Sequence, residues 1–229
     1  DRPLTPNKDM LPKYLDTVLL STPSIALEAA RSEIRRMGSR VNQMVLSIMP
    51  TAVNGTREEL EQIAAQDKVV DALHFAIVDY LGKISLQELS SRQSEELMSL
   101  AETANDLEHI GDRMATSLVT SANKRIKEDV RVSDETVKVL TEYHALVCKT
   151  LKDALKAIEK QKKKTIIRVA RRTKDFSDLS RYVAQHGLER LTSDGPNRLN
   201  TYAREMEVME ILQGVYTVAE RMTRNQEKK

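Results

Sequence analysis

Apolar side chains recur along this chain at helical spacing, and the rows open at recognisable capping signals. The first row runs through Ile25, Leu27, Ala30, Ile34, Met37, Val41 and Val45. Thr22 supplies an N-cap ahead of it and Pro23 a first helical residue, while Pro50 is read as its end. Thr56-Arg57-Glu58-Glu59 is a capping box that opens a second helix, in which Ile63, Val70, Ile77 and Ile84 fall seven apart with Leu73 and Tyr80 between them. Ser90 and Gln93 form another box before a third helix, where Leu97, Ala104, Gly111 and Leu118 alternate with Leu100, Leu107 and Met114. Such rows are the seams of helical bundles. A polar stretch over 124–133 follows, then a fourth helix over 134–160 and a fifth over 164–191, and Ser193-Asp194-Gly195-Pro196 breaks the chain before a sixth.

Three helices, a polar joint and three more helices predict an internal repeat of about 100 residues. The expected fold is all-α, two tandem antiparallel three-helix bundles. The expected boundaries are a lead-in over 1–22, a first bundle over 23–126 and a second over 127–229.

Composition sharpens this picture. No proline stands between Pro50 and Pro196, and the 229 residues hold no Trp, two Phe and six Tyr. A proline-free run of that length, rich in Ala, Leu, Glu, Lys, Gln and Met, argues for long helices and excludes an all-β or doubly wound α/β fold. Lys and Arg number 36 against 34 Asp and Glu, a net charge of +2, so a nucleic acid or membrane partner must be met by a local patch. The single cysteine, Cys148, excludes an internal disulfide and a CxxC zinc or redox motif, and reads as a small buried apolar residue. No apolar stretch approaches the roughly 20 residues that cross a bilayer. The chain opens at Asp1 with Asp-Arg-Pro-Leu-Thr-Pro, which reads as a domain of a longer protein or a processed product. No Ser-His-Asp or Cys-His arrangement, phosphate-cradling glycine loop or HExxH is present, and His74, His109, His144 and His186 are scattered, so the chain is read as not an enzyme.

The chemistry-bearing feature is a pair of acid-xxx-acid motifs, Asp67-Lys68-Val69-Val70-Asp71 and Glu108-His109-Ile110-Gly111-Asp112. Residues at i and i+4 share one helix face, where like charges repel unless a cation lies between them. Asp71 follows Val70 and Asp112 follows Gly111, so both helices carry acid on the same edge of the seam. If these helices are antiparallel neighbours, four carboxylates converge on one partly solvated face. Oxygen ligands favour magnesium, calcium, manganese or iron over zinc, and His74, three residues past Asp71, offers a nitrogen. The competing reading is an ordinary solvated helix face. Gly111 bears on the choice, because glycine inside a helix costs about 1 kcal/mol relative to Ala and points to close approach of another helix.

Asn105-Asp106-Leu107-Glu108-His109-Ile110-Gly111-Asp112 resembles the signature of the phosphate-uptake regulator (PhoU) family. The segment Leu15 to Glu28, followed by Glu33-Ile34-Arg35-Arg36-Met37, is similar to the part of bacterial sodium/phosphate cotransporter proteins that joins the membrane portion to a C-terminal PhoU-like region. The resemblance implies three-helix bundle repeats and a multinuclear iron or zinc cluster, or another divalent metal, held by Asp67, Asp71, Glu108 and Asp112. Sliding the repeat onto itself sets Lys174 and Asp178 against Asp67 and Asp71, and Glu210 and Gly214 against Glu108 and Asp112. One metal-competent bundle and one degenerate bundle are therefore expected, with Asp178 and Glu210 as weaker ligands.

The resemblance further implies a cytoplasmic regulatory domain at the inner membrane, acting on a transmembrane transporter part of the same polypeptide and modulating sodium-dependent phosphate uptake. The alternative it implies is a freestanding metal-binding regulator acting on a separate transporter or sensor kinase. A metal-dependent hydrolase built on the carboxylates is a third, minor reading. Between Lys156 and Lys174 nine basic residues stand against Glu159 alone. This run, with Lys162, Lys163, Lys164, Arg168, Arg171 and Arg172 at its centre, reads either as a solvated face or as a contact for anionic headgroups or the transporter. It lacks the aromatic interleaving of a nucleic acid site, so none is expected. Arg35, Arg36 and Arg40 read as surface salt-bridge residues, and an exposed bundle face leaves room for a homodimer.

Overall fold

Pro23 fixes the start of the first helix, and the carbonyl of Thr22 before it accepts the amides of Ile25 at 2.9 Å and Ala26 at 3.1 Å. In the computed structural model, which describes residues 8–160, 163–192 and 197–225, eight α-helices follow one another. They are α1 (Pro23–Leu46), α2 (Ile48–Asn54), α3 (Arg57–Ser85), α4 (Ser91–Arg113), α5 (Val119–Lys127), α6 (Asp134–Lys160), α7 (Lys163–Thr192) and α8 (Arg198–Asn225). The all-α architecture is as expected, and no strand occurs among the described residues. The break at Ser193–Pro196 lies outside them.

Both capping boxes form. The Thr56 amide donates to Glu59 Oε2 at 2.8 Å and the Glu59 amide to Thr56 Oγ1 at 3.3 Å. The Ser90 amide likewise donates to Gln93 Oε1 at 2.9 Å and the Gln93 amide to Ser90 Oγ at 3.3 Å. Pro50 does not end the first helix. The chain bends at Ser47, and Pro50 sits third in α2, in the first turn, where a helix has no acceptor for the missing N–H. Between α4 and α5 the helix widens into a π turn over Met114–Leu118.

The chain divides into two compact units. The first takes the chain up to Val41 together with Ala65–Gly111, and the second takes Asn42–Ala64 together with everything from Asp112 onward. In the first, Leu27, Ala30, Ile34, Met37, Val70, Leu73, Ile77, Ile84, Ala104 and Leu107 are buried, as their seams require, whereas Ile25 of the first row is exposed. The lead-in forms 3-10 turns at Lys8–Met10 and Thr17–Ser21, and side chains of α1 hold it in place. Fully buried Glu33 accepts the amides of Lys13 at 2.7 Å and Tyr14 at 2.8 Å, and Arg36 donates to the carbonyls of Asp9 and Leu11. Tyr80 Oη donates to the Asp16 carbonyl at 2.8 Å. Arg36 therefore clamps the lead-in, whereas Arg40 pairs with Asp9 at 2.8 Å and Arg35 reaches Glu28 at 3.6 Å, as salt-bridge residues do.

In the second unit α6, α7 and α8 pack against one another pairwise. Phe176 of α7 is stacked between Tyr143 of α6, 5.1 Å away, and Tyr216 of α8, 3.5 Å away. Burial carries the Tyr143 hydroxyl up to about 12. Cys148 is half-buried beside His144 Nε2, 3.1 Å away, and burial pushes its thiol up to about 11. No described helix is long and apolar enough to cross a membrane.

Candidate functional site

The expected close approach at Gly111 is present. A Cβ built there would lie 3.0 Å from Asp67 Oδ1 and 3.1 Å from Val70 Cγ1, so α4 presses its bare backbone onto the α3 turn that carries Asp67. Close by, His74 Nε2 and Asn105 Oδ1 hydrogen-bond at 2.8 Å and tie α3 to α4. Asp67 is half-buried, Asp71 exposed, Glu108 half-buried with its carboxylate 3.8 Å from His109 Nε2, and Asp112 exposed. Asp71 heads an exposed row down α3 that continues through Phe75, Val78 and Gly82, the last with open space over it.

A metal cluster of the kind the resemblance implies needs several carboxylates aimed at one point. Among the described residues no three His, Cys, Asp or Glu side chains come together in that way. His74 spends its Nε2 on Asn105, and the exposed Asp71 shares its helix face with apolar residues. The donor set as placed does not fit such a cluster, and no function below is routed through one. What the structure does bring together is Asp67 with Gly111, and His74 with Asn105.

In the second unit, Asp178 is exposed and bridged to Arg181, and Lys174 and Glu210 are also exposed. Gly214, which the repeat sets against Asp112, carries the guanidinium of Arg113, whose Cζ lies 2.7 Å from where a Cβ would stand.

The basic run divides. Lys162 lies outside the described residues, as do the side chains of Lys163 and Lys164 in α7. Arg168 and Arg171 are exposed. Arg172 is not a surface contact: it is 6% exposed and donates to Asp153 Oδ2 of α6 at 2.6 Å. The reason is register, since Val169, Arg172, Phe176 and Val183 form the inward row of α7, and Asp153 neutralises the charge that this row carries inside.

Sequence reading missed Glu33, whose partners are backbone amides some twenty residues away. It also missed a polar row, Arg113, Ser117, Thr120, Ser121 and Lys124, that lines one wall of a cavity against α8. Spacings of three and four along a single helical run were the available signal.

Residues 34–117 match the PhoU domain family. The chain is 26% identical over 190 residues to a protein of Salmonella typhimurium named "Putative inorganic phosphate export protein YjbB", covering 83% of this chain and 35% of the relative. Its counterpart in Escherichia coli K12 is 25% identical over the same shares. The chain thus spans about a third of the length of these curated relatives. Among solved structures, PhoU from Pseudomonas aeruginosa superposes with a TM-score of 0.80 at 17% identity, covering 89% of this chain and 96% of that one. The phosphate transport system regulatory protein PhoU from Streptococcus pneumoniae does so with 0.67 at 15% identity, covering 91% and 93%. The fold is accordingly PhoU-like.

Proposed function

From a chain that carries a PhoU domain on a PhoU-like all-α fold, we propose a non-catalytic regulatory module of phosphate transport. The observation that carries this reading is the PhoU match over residues 34–117, which contains both acid-xxx-acid motifs and the Gly111 contact between their helices. Such a module acts by contact rather than turnover. Consistent with this, its α3 helix leaves Phe75 76% exposed in an outward row beside Asp71.

In its finer form the module belongs to a longer, sodium-coupled transport protein of the inner membrane. The length of the YjbB relatives, about three times the matched part, supports that form. A freestanding regulator of a separate transporter is the other form, and it has the stronger support. It is supported by the PhoU structures, each matched over more than nine tenths of its own chain.

The common reading is tested by radiolabelled phosphate uptake and efflux in the source cells with and without the coding region of this domain. Net phosphate flux is expected to change when the domain is removed and to return when it is restored. Unaltered uptake and efflux would refute the regulatory reading. Immunoblotting of fractionated cells separates the two forms, with a band in the soluble fraction supporting the freestanding one and a membrane-bound band of a size close to that of the YjbB relatives the fused one.

A further inference from the structure

Within the second unit, the π turn at Met114–Leu118 shifts the helical register just where α4 gives way to α5, and such turns are frequent at functional sites. Beside it, Arg113, Ser117, Thr120, Ser121 and Lys124 lie along one wall of a cavity of about 360 Å³, with Glu207 and Glu210 of α8 on the other wall. The Arg113 guanidinium lies over the bare backbone of Gly214, its Cζ 2.7 Å from where a Cβ would stand.

Several polar groups of this cavity are available. Many helical Ser and Thr hydroxyls of the chain return to the carbonyl one turn back, as Thr103, Thr150, Thr217 and Thr223 do at 2.8–2.9 Å, and Thr116 at the edge of the cavity does so to Asp112 at 2.7 Å. Among the described residues, the hydroxyls of Ser117, Thr120 and Ser121 make no hydrogen bond, although Ser121 is only 5% exposed. Among the described residues, Arg113 forms no ion pair or hydrogen bond and neither does Glu210, although both border the same space. Lys124, in contrast, is engaged with Glu207 at 3.2 Å.

An unpaired guanidinium, three free hydroxyl donors and an unpaired carboxylate describe a ligand that is an oxyanion and also carries an O–H. We propose that this cavity binds a phosphate group, as inorganic phosphate or as a small phosphomonoester. Arg113 and the hydroxyls donate to its oxygens, charge-assisted in the case of Arg113, and Glu210 accepts an O–H of the ligand, the P–OH of inorganic phosphate or an alcohol O–H of the ester. Near neutral pH phosphate retains such a proton and sulfate has none, so Glu210 attracts the first and repels the second. The binding stands on the cavity itself, and only its use as a signal rests on the regulatory reading above.

Isothermal titration of the whole chain with inorganic phosphate, glycerol 3-phosphate and sulfate tests this, alongside Arg113→Gln, Ser121→Ala and Glu210→Gln. Arg113 and Glu210 are exposed, and circular dichroism confirms that their variants fold. Phosphate or the ester is expected to bind with sulfate at least ten-fold weaker, Arg113→Gln to lose at least ten-fold, Ser121→Ala to weaken binding, and Glu210→Gln to bring phosphate and sulfate together. Binding of phosphate identifies the free anion as the source, and binding of the ester alone identifies an esterified one. Binding of neither, binding indifferent to Arg113→Gln, or unchanged discrimination in Glu210→Gln overturns the proposal. A chain that binds phosphate yet leaves cellular flux unaltered keeps this site and loses the regulatory reading; the reverse result does the opposite.

Discussion

Glu33→Ala tests how firmly the lead-in is fastened to the first unit. The carboxylate is fully buried, accepts the amides of Lys13 and Tyr14, and pairs with Arg36 at 2.5 Å. Hydrogen bonds to a charged group contribute about 1.5–3 kcal/mol each. Two such bonds set a ceiling of about 3–6 kcal/mol, but Lys13 and Tyr14 lie on the exposed side of the chain, where water replaces part of what is lost. Arg36 also keeps its bonds to the Asp9 and Leu11 carbonyls. The expected cost is therefore about 2–4 kcal/mol. Guanidinium unfolding reads it as a lower midpoint at unchanged slope. Hydrogen exchange of the Lys13 and Tyr14 amides reads the local event, with protection lost in the variant. A variant within about 0.5 kcal/mol of the parent, with those amides still protected, would refute the claim that Glu33 fastens the lead-in.

Gly111→Ala gains about 1 kcal/mol of helix propensity but drives a methyl to 3.0 Å from Asp67 Oδ1 and 3.1 Å from the stiff Val70 side chain. Overpacking of this kind costs about 1–3 kcal/mol, so urea denaturation is expected to show a net loss, and a clear gain would mean the helices do not meet there. Asp153→Ala leaves Arg172 charged and buried without its partner, which costs about 3–5 kcal/mol, whereas pairing Asp153→Leu with Arg172→Met should restore most of the thermal midpoint. Burial raises the Glu205 carboxyl above its ordinary 4.5, against the pull of Thr136, Arg190 and His186. A raised native value gives stability that is fully present below the unfolded value and lost as pH climbs through the native one. Stability should therefore fall over that window, and Glu205→Gln should flatten the fall in a pH series of melts. After loading with iron, zinc or manganese and gel filtration, elemental analysis is expected to find no stoichiometric metal. Metal that is retained, and lost when Asp67, Asp71, Glu108 and Asp112 become Asn, would show that the acids do converge in solution.

The helices were legible because their signals are local. A seven-residue row and a capping box each lie within one or two turns, and both boxes close as the spacing requires. Pro50 misled for a reason of the same scale: proline ends a helix only where an N–H is owed, and in the first turn of α2 none is. Glu33 was hidden because its partners are backbone groups brought to it by the path of the lead-in, which no periodicity encodes.

The candidate site divides along the same line. Gly111 announced a helix contact because a glycine inside a helix has a cost that something must offset, and the contact is there, made by Asp67 and Val70. The i, i+4 spacing of the acids fixed a face on each helix but not what the faces meet, and Asp71 looks outward beside Phe75. Arg172 shows how a charge can be placed by register where composition fails. Counted within the basic run it belongs to a surface patch, whereas counted in threes, fours and sevens from Val169 to Phe176 and Val183 it falls on the buried row, where a lone charge is untenable. The partner is then forced to be an acid on a neighbouring helix, and Asp153 of α6 is that acid. A charged residue on an inward row thus predicts its own counter-charge, a stronger inference than any drawn from the number of charges around it.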